Sequence, residues 1–200
     1  MKNHWNNHFL AENYVYGKEP NDFISEMQKK LQFSGDALAI AEGEGRNAVF
    51  LAEQGMMVTA WDFAESGLLK TGKLARNKGV SVRTELVDLN EAVWEKERWD
   101  EIICVFGHFP KEIRNKTLEG VKKAVKPGGY FVTEVYSIHQ LPYQSGGPKD
   151  INFLYSPEEF LQTFSDWRIV HFFMGEANRH EGELHTGLAH VIQFVGQKPE

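Results

Sequence analysis

The sequence predicts an α/β fold built on a largely parallel sheet, and three observations carry that expectation. Short apolar runs without polar alternation recur along the chain, as strands covered on both faces require. Helical stretches separate most of them, which is the pattern of βαβ units. The first run, residues 37–41, leads through Glu42-Gly43-Glu44-Gly45 straight into a helical stretch, so strand, tight turn and helix follow one another.

The elements can be justified in order. Asn21-Asp22 caps a helix running to about Gln32, with Phe23, Met27 and Leu31 spaced along one face, and Ser34-Gly35 ends it. After the strand at 37–41 come a helix over 46–54, a strand over 57–61, a helix over 65–78 and a strand over 80–87. Residues 101–106 make the fourth strand, 111–125 a helix and 130–136 the fifth strand. The Ser/Gly/Pro-containing stretch 143–150 is a loop that interrupts the domain. A helix over 157–164 then precedes two β-rich segments, 167–174 and 185–195, which can pair as an antiparallel hairpin with a long polar loop.

Composition narrows the function. The 200 residues are 42% hydrophobic and 25% charged, which suits one domain spanning 1–200 with a substantial core. A net charge of −6 is a poor match for a phosphate-neutralising surface, so a small-molecule substrate is expected and nucleic acid is not. The single cysteine, Cys104, lies in an apolar run and reads as a buried thiol in a reducing cytoplasm. No run approaches the ~18 apolar residues of a membrane span, and the polar, aromatic stretch 1–8 lacks the apolar core of a secretion signal. A cytoplasmic monomer or homodimer is the expectation.

The residues 43–48 satisfy the pattern G-x-G-x-x-G/A, in which glycines bring the backbone close to a ligand. That pattern alone serves a nicotinamide cofactor or S-adenosylmethionine equally. Glu42 and Glu44 beside the turn would oppose a pyrophosphate but suit an ammonium and a sulfonium. Asp62-Phe63 and Asp88-Leu89 end the second and third strands, where an open α/β sheet binds its ligand. Asp62 then reaches the ribose and Asp88 the adenine amino group, with Phe63 and Leu89 on the adenine; each acid can alternatively cap the helix that follows it.

Taken in register, residues 37–48 resemble the first motif of class I S-adenosylmethionine-dependent methyltransferases, 58–62 the second, 87–89 the third, 99–106 the fourth strand and 126–132 the turn into the fifth. Residues 14–23 resemble the tellurite-resistance branch of small bacterial members. Ala39 and Ala41 depart from the acidic residue and glycine usual there, and Glu42 is placed to substitute in bracing the turn. The resemblance implies a Rossmann-like three-layer sandwich with a seven-stranded, mostly parallel sheet ending in an antiparallel hairpin. It also implies S-adenosylmethionine as cofactor, S-adenosylhomocysteine as product, and in-line methyl transfer to a small acceptor such as a thiol or metalloid oxyanion. A non-catalytic S-adenosylmethionine-binding module and an NAD-binding oxidoreductase are the alternatives.

The cofactor-side residues on this reading are Tyr16, Glu42, Gly43, Glu44, Gly45, Asn47, Asp62, Phe63, Asp88, Leu89 and Phe106. On the acceptor side stand His108, then Tyr136, Arg179 and His185. Residues 1–34 form a helical segment whose Trp5, Phe9, Tyr14 and Tyr16 either close over the cleft as a lid or pack on the core. His180 and His185 are five apart instead of the four that set two ligands on one helical face, so no metal site is expected.

Overall fold

The computed structural model describes residues 2–182 and 185–200. Seven strands form one sheet: β1 Asp36–Ile40, β2 Met57–Asp62, β3 Val82–Leu86, β4 Trp99–Val105, β5 Val125–Tyr136, β6 Arg168–Glu181 and β7 His185–Gln197. Their order is β3-β2-β1-β4-β5-β7-β6, parallel through β5, with β7 antiparallel to both of its neighbours. The chain winds outward from β1 to β3 and then crosses to β4, so the strand order reverses between β1 and β4.

Helices cover both faces. Phe23, Ile24 and Met27 of α2 (Asp22–Leu31) pack with Ala48 and Leu51 of α3 (Arg46–Glu53) over Ala37, Ala39, Val58 and Ala60. α4 (Glu65–Asn77) joins that layer through Leu74 and Ala75 against Val49. On the other face Leu118 and Val121 of α5 (Lys111–Ala124) and Phe160 of α6 (Pro157–Thr163) meet Leu38, Ile102 and Phe131. The strand runs lack alternation because each face has its own helical cover. Ahead of these layers, α1 (Lys2–His8) docks against α4.

Three of the boundaries that differ from the sequence reading have a visible cause. α2 stops before Gln32, which takes the left-handed conformation at φ 52° and donates its N–H to Gln28, so the Ser34-Gly35 pair lies beyond the cap. β5 begins at Val125, because Gly128 and Gly129 exchange backbone hydrogen bonds with Lys198. The expected long hairpin loop is largely strand: β6 continues to Glu181, which pairs with His185. Residues 175–181 look like a solvated connection in sequence, yet Arg179 and Glu181 are 3% and 6% exposed. Their charges serve a buried network.

Candidate active site

The turn after β1 is shaped by its neighbours in the fold. Gly43 and Gly45 take φ 64° and 92°, values that a side chain resists. A Cβ at Gly45 would lie 2.6 Å from the Thr71 side chain, so this glycine admits α4 to the turn. Thr71 then donates its hydroxyl to the Gly43 carbonyl at 3.1 Å. Asp62 ties the turn to β2: one oxygen accepts the Gly43 N–H at 2.9 Å and the other the Ala64 N–H at 2.7 Å. Burial raises its pKa, opposed by these same N–H bonds.

Glu42 performs the bracing role. Its Oε1 accepts the N–H groups of Asn47 and Ala48 at 2.9 and 2.8 Å, supplying the first turn of α3 with the side-chain acceptor that Gly45, its N-cap, lacks. Burial pushes the Glu42 carboxyl up to about 7, against the pull of the two N–H groups and Arg46. Glu44 pairs with Lys70 at 2.6 Å, both side chains largely buried. The turn therefore presents less negative charge than its sequence suggests, which weakens the electrostatic preference for a cationic ligand.

A cavity of about 610 Å³ opens beyond the carboxyl ends of β1, β2 and β4, at the strand-order reversal. Of the nominated residues, Tyr16, Glu42, Gly43, Glu44, Asn47, Asp62, Phe63, Phe106 and His108 border it. Gly45, Leu89, Tyr136 and Arg179 are buried behind its wall. Leu89 belongs to the core with Trp61 and Trp94, and Asp88 is exposed, accepting the Asn90 N–H at 2.9 Å. The His185 side chain, with Glu183 and Leu184, lies outside the described residues.

His108 has both ring nitrogens committed. Nδ1 lies 2.9 Å from the Phe153 carbonyl, which requires it to be the protonated nitrogen, and Nε2 accepts the Tyr136 N–H at 3.4 Å. Burial drives its pKa down to about 4, only partly countered by the Phe153 carbonyl, so the ring is neutral at physiological pH. Arg179 is held by Glu134 at 2.5 Å and Glu181 at 3.1 Å. Asn21 joins them, donating its side-chain amide to Glu134 and Glu181 and its backbone N–H to the Asn47 Oδ1 at 2.9 Å.

Sequence reasoning passed over Arg46, the residue after the second glycine. It borders the cavity, pairs with Glu181 at 2.5 Å through Nη2, and leaves Nη1 buried without a partner among the described residues. Its place in the turn was a usable signal, but its partner lies 135 positions away. His4, His8 and Phe153 also border the cavity unforeseen, because only the docking of α1 and of the 146–153 segment brings them there.

Comparison with known proteins gives a consistent picture. A family profile described as "Tellurite resistance protein TehB" matches residues 5–191. The chain is 26% identical over 179 residues to the "Probable S-adenosyl-L-methionine-dependent methyltransferase TehB" of Haemophilus influenzae, covering 82% of this chain and 59% of that protein. The chain thus spans under two thirds of the length of this curated relative. The crystal structure of TehB from Haemophilus influenzae superposes with a TM-score of 0.74 at 19% identity, over 89% of this chain and 62% of that one. A chain solved under the description "Conversion of a Disulfide Bond into a Thioacetal Group during Echinomycin Biosynthesis" gives 0.81 at 17% identity, over 100% and 93%.

Proposed function

Because the chain belongs to the TehB tellurite-resistance family, we propose that it is an S-adenosylmethionine-dependent methyltransferase acting on a compact small-molecule nucleophile. The observation that carries this reading is the cavity at the strand-order reversal, bounded by the Gly43 turn and by Asp62 at the end of β2. When bound, S-adenosylmethionine supplies an electrophilic methyl group on a sulfonium.

The chain's own residues fit that cofactor. The Gly43 main chain reaches the cavity wall with the Phe9 ring against it, and Asp62 borders the cavity as an acceptor for ribose hydroxyls. Phe63 offers apolar surface for an adenine, and Arg46 Nη1 is the donor a carboxylate end requires. Tyr16 and α1 border the same cavity, which supports reading residues 1–34 as a lid on a single domain of residues 1–200. His108 is a neutral hydrogen-bonded wall rather than a base at pH 7. Rate enhancement then rests on holding the acceptor atom in line with the methyl group, the positional effect that intramolecular reactions show on a large scale.

Calorimetric titration tests the cofactor half. S-adenosylhomocysteine should bind at one saturable site while NADH gives no binding heat, and NADH binding with S-adenosylhomocysteine silent would replace this reading with an oxidoreductase. Transfer of a labelled methyl group to acceptors of graded chemistry tests the catalytic half.

A further inference from the structure

Two groups of stacked rings reach the cavity. On α1, Trp5 and Phe9 stack with centroids 5.6 Å apart and planes 29° from parallel. Beyond β4, Phe106, Tyr136 and His108 form a second near-parallel stack, with Phe106–Tyr136 at 4.6 Å and His108–Tyr136 at 5.5 Å. Trp5, Phe106 and His108 are each only partly buried, so these walls present ring surface that a ligand can cover.

The buried guanidinium groups of the same region already have carboxylate partners. Arg46 is paired with Glu181, and Arg179 with Glu134 and Glu181. The other Lys or Arg among the described lining residues, Lys149, stands exposed beside Asp150 on the 146–150 loop. An oxyanion entering here would meet aromatic walls and, among the described lining residues, one guanidinium, Arg46, that already has a carboxylate partner, and would lose hydration without full compensation. A flat, apolar-bodied molecule gains on both counts.

Resting on the methyltransferase reading above, we propose that the acceptor is a planar aromatic nucleophile, held against Trp5 on one side and the Phe106–His108 wall on the other, rather than a metalloid oxyanion. For an aromatic thiol the balance is simple. The thiol proton has passed to solvent water at assay pH, the thiolate sulfur forms the new bond to carbon, and the sulfonium–methyl bond breaks with its electron pair left on the cofactor sulfur.

The test uses the full chain with S-adenosylmethionine and three acceptors: para-nitrothiophenol, followed by loss of thiolate absorbance, mercaptoethanol and tellurite. With rates expressed per thiolate present, the aromatic thiol should exceed mercaptoethanol in kcat/KM by about tenfold, the scale of one good stacking contact, and tellurite should show no turnover. Trp5→Ala should raise KM for the aromatic thiol by about fivefold to tenfold with S-adenosylhomocysteine affinity unchanged, and Trp5→Phe should restore it. Preference for tellurite or the aliphatic thiol overturns the proposal. So does an unaltered KM in Trp5→Ala, or a chain that binds S-adenosylhomocysteine yet leaves the aromatic thiol unmethylated. Failure to bind S-adenosylhomocysteine at all removes the methyltransferase reading as well.

Discussion

One carboxylate, Asp62, joins the two strand ends on which the cofactor reading depends. It accepts N–H groups from Gly43 and Ala64 and is only 6% exposed. Asp62→Ala leaves two buried donors without an acceptor, at a cost of about 1–3 kcal/mol each. S-adenosylhomocysteine affinity should fall by about tenfold or more through loss of the ribose acceptor and loosening of the turn, as titration calorimetry would show. Asp62→Asn keeps one oxygen acceptor and should recover part of both losses. Unchanged affinity in a folded Asp62→Ala protein would move the ribose elsewhere. At this scale the sequence was legible for which residues gather and less so for what each does. Glu42, Glu44 and Asn47 border the cavity, but Glu42 caps α3, Glu44 pairs with Lys70, and Asn47 accepts from Asn21. Sequence distance hides such partners, since a carboxylate looks the same whether free or spoken for.

Among the elements, α4 shows how one segment completes another. Its N-cap, Ala64, has no side chain to offer, and the acceptor for the Ser66 N–H is the Asn6 Oδ1 of α1 at 3.0 Å. Ser66 returns its hydroxyl to the Asn6 carbonyl at 2.7 Å, so the proposed lid is buttoned to the N-terminus of α4. Gly67 makes the approach possible, because a Cβ there would fall 2.7 Å from the Gly43 carbonyl and 3.0 Å from Phe9. Asn6→Ala should cost about 1 kcal/mol, the usual value of a lost N-cap. Its specific signature is faster amide hydrogen exchange across α1 and the first turn of α4, with β4 and β5 unchanged; uniform change across the protein would deny the coupling. Helices and strands were legible from periodicity, whereas the extent of β6 was not. Its polar half reads as a loop because buried Arg179 and Glu181 find their partners on β5 and α3.

For the molecule as a whole, one buried acid sets a dependence of stability on pH. Glu101 on β4 is 1% exposed, and neither carboxylate oxygen has a partner among the described residues. Burial pushes its pKa from the ordinary 4.5 up to about 8. Between those values the native chain keeps a proton that the unfolded chain releases, so stability falls as pH rises through that window, by about 1.4 kcal/mol per pH unit for this group. Denaturant titrations of Glu101→Gln should show an advantage over the natural chain that grows from about pH 5 to about pH 8. A constant difference would mean that Glu101 is ionised in the native state. By itself the sequence determined the α/β class, the sheet's strands and the glycine turn, because unalternated apolar runs, capping residues and turn chemistry act over a few neighbouring positions. Only the tertiary structure decided which charges are already paired, that α1 caps α4, and that rings from α1 and the end of β4 border one cavity. Those outcomes depend on contacts between segments as much as 160 residues apart, such as Asn21 with Glu181, and no local pattern records them.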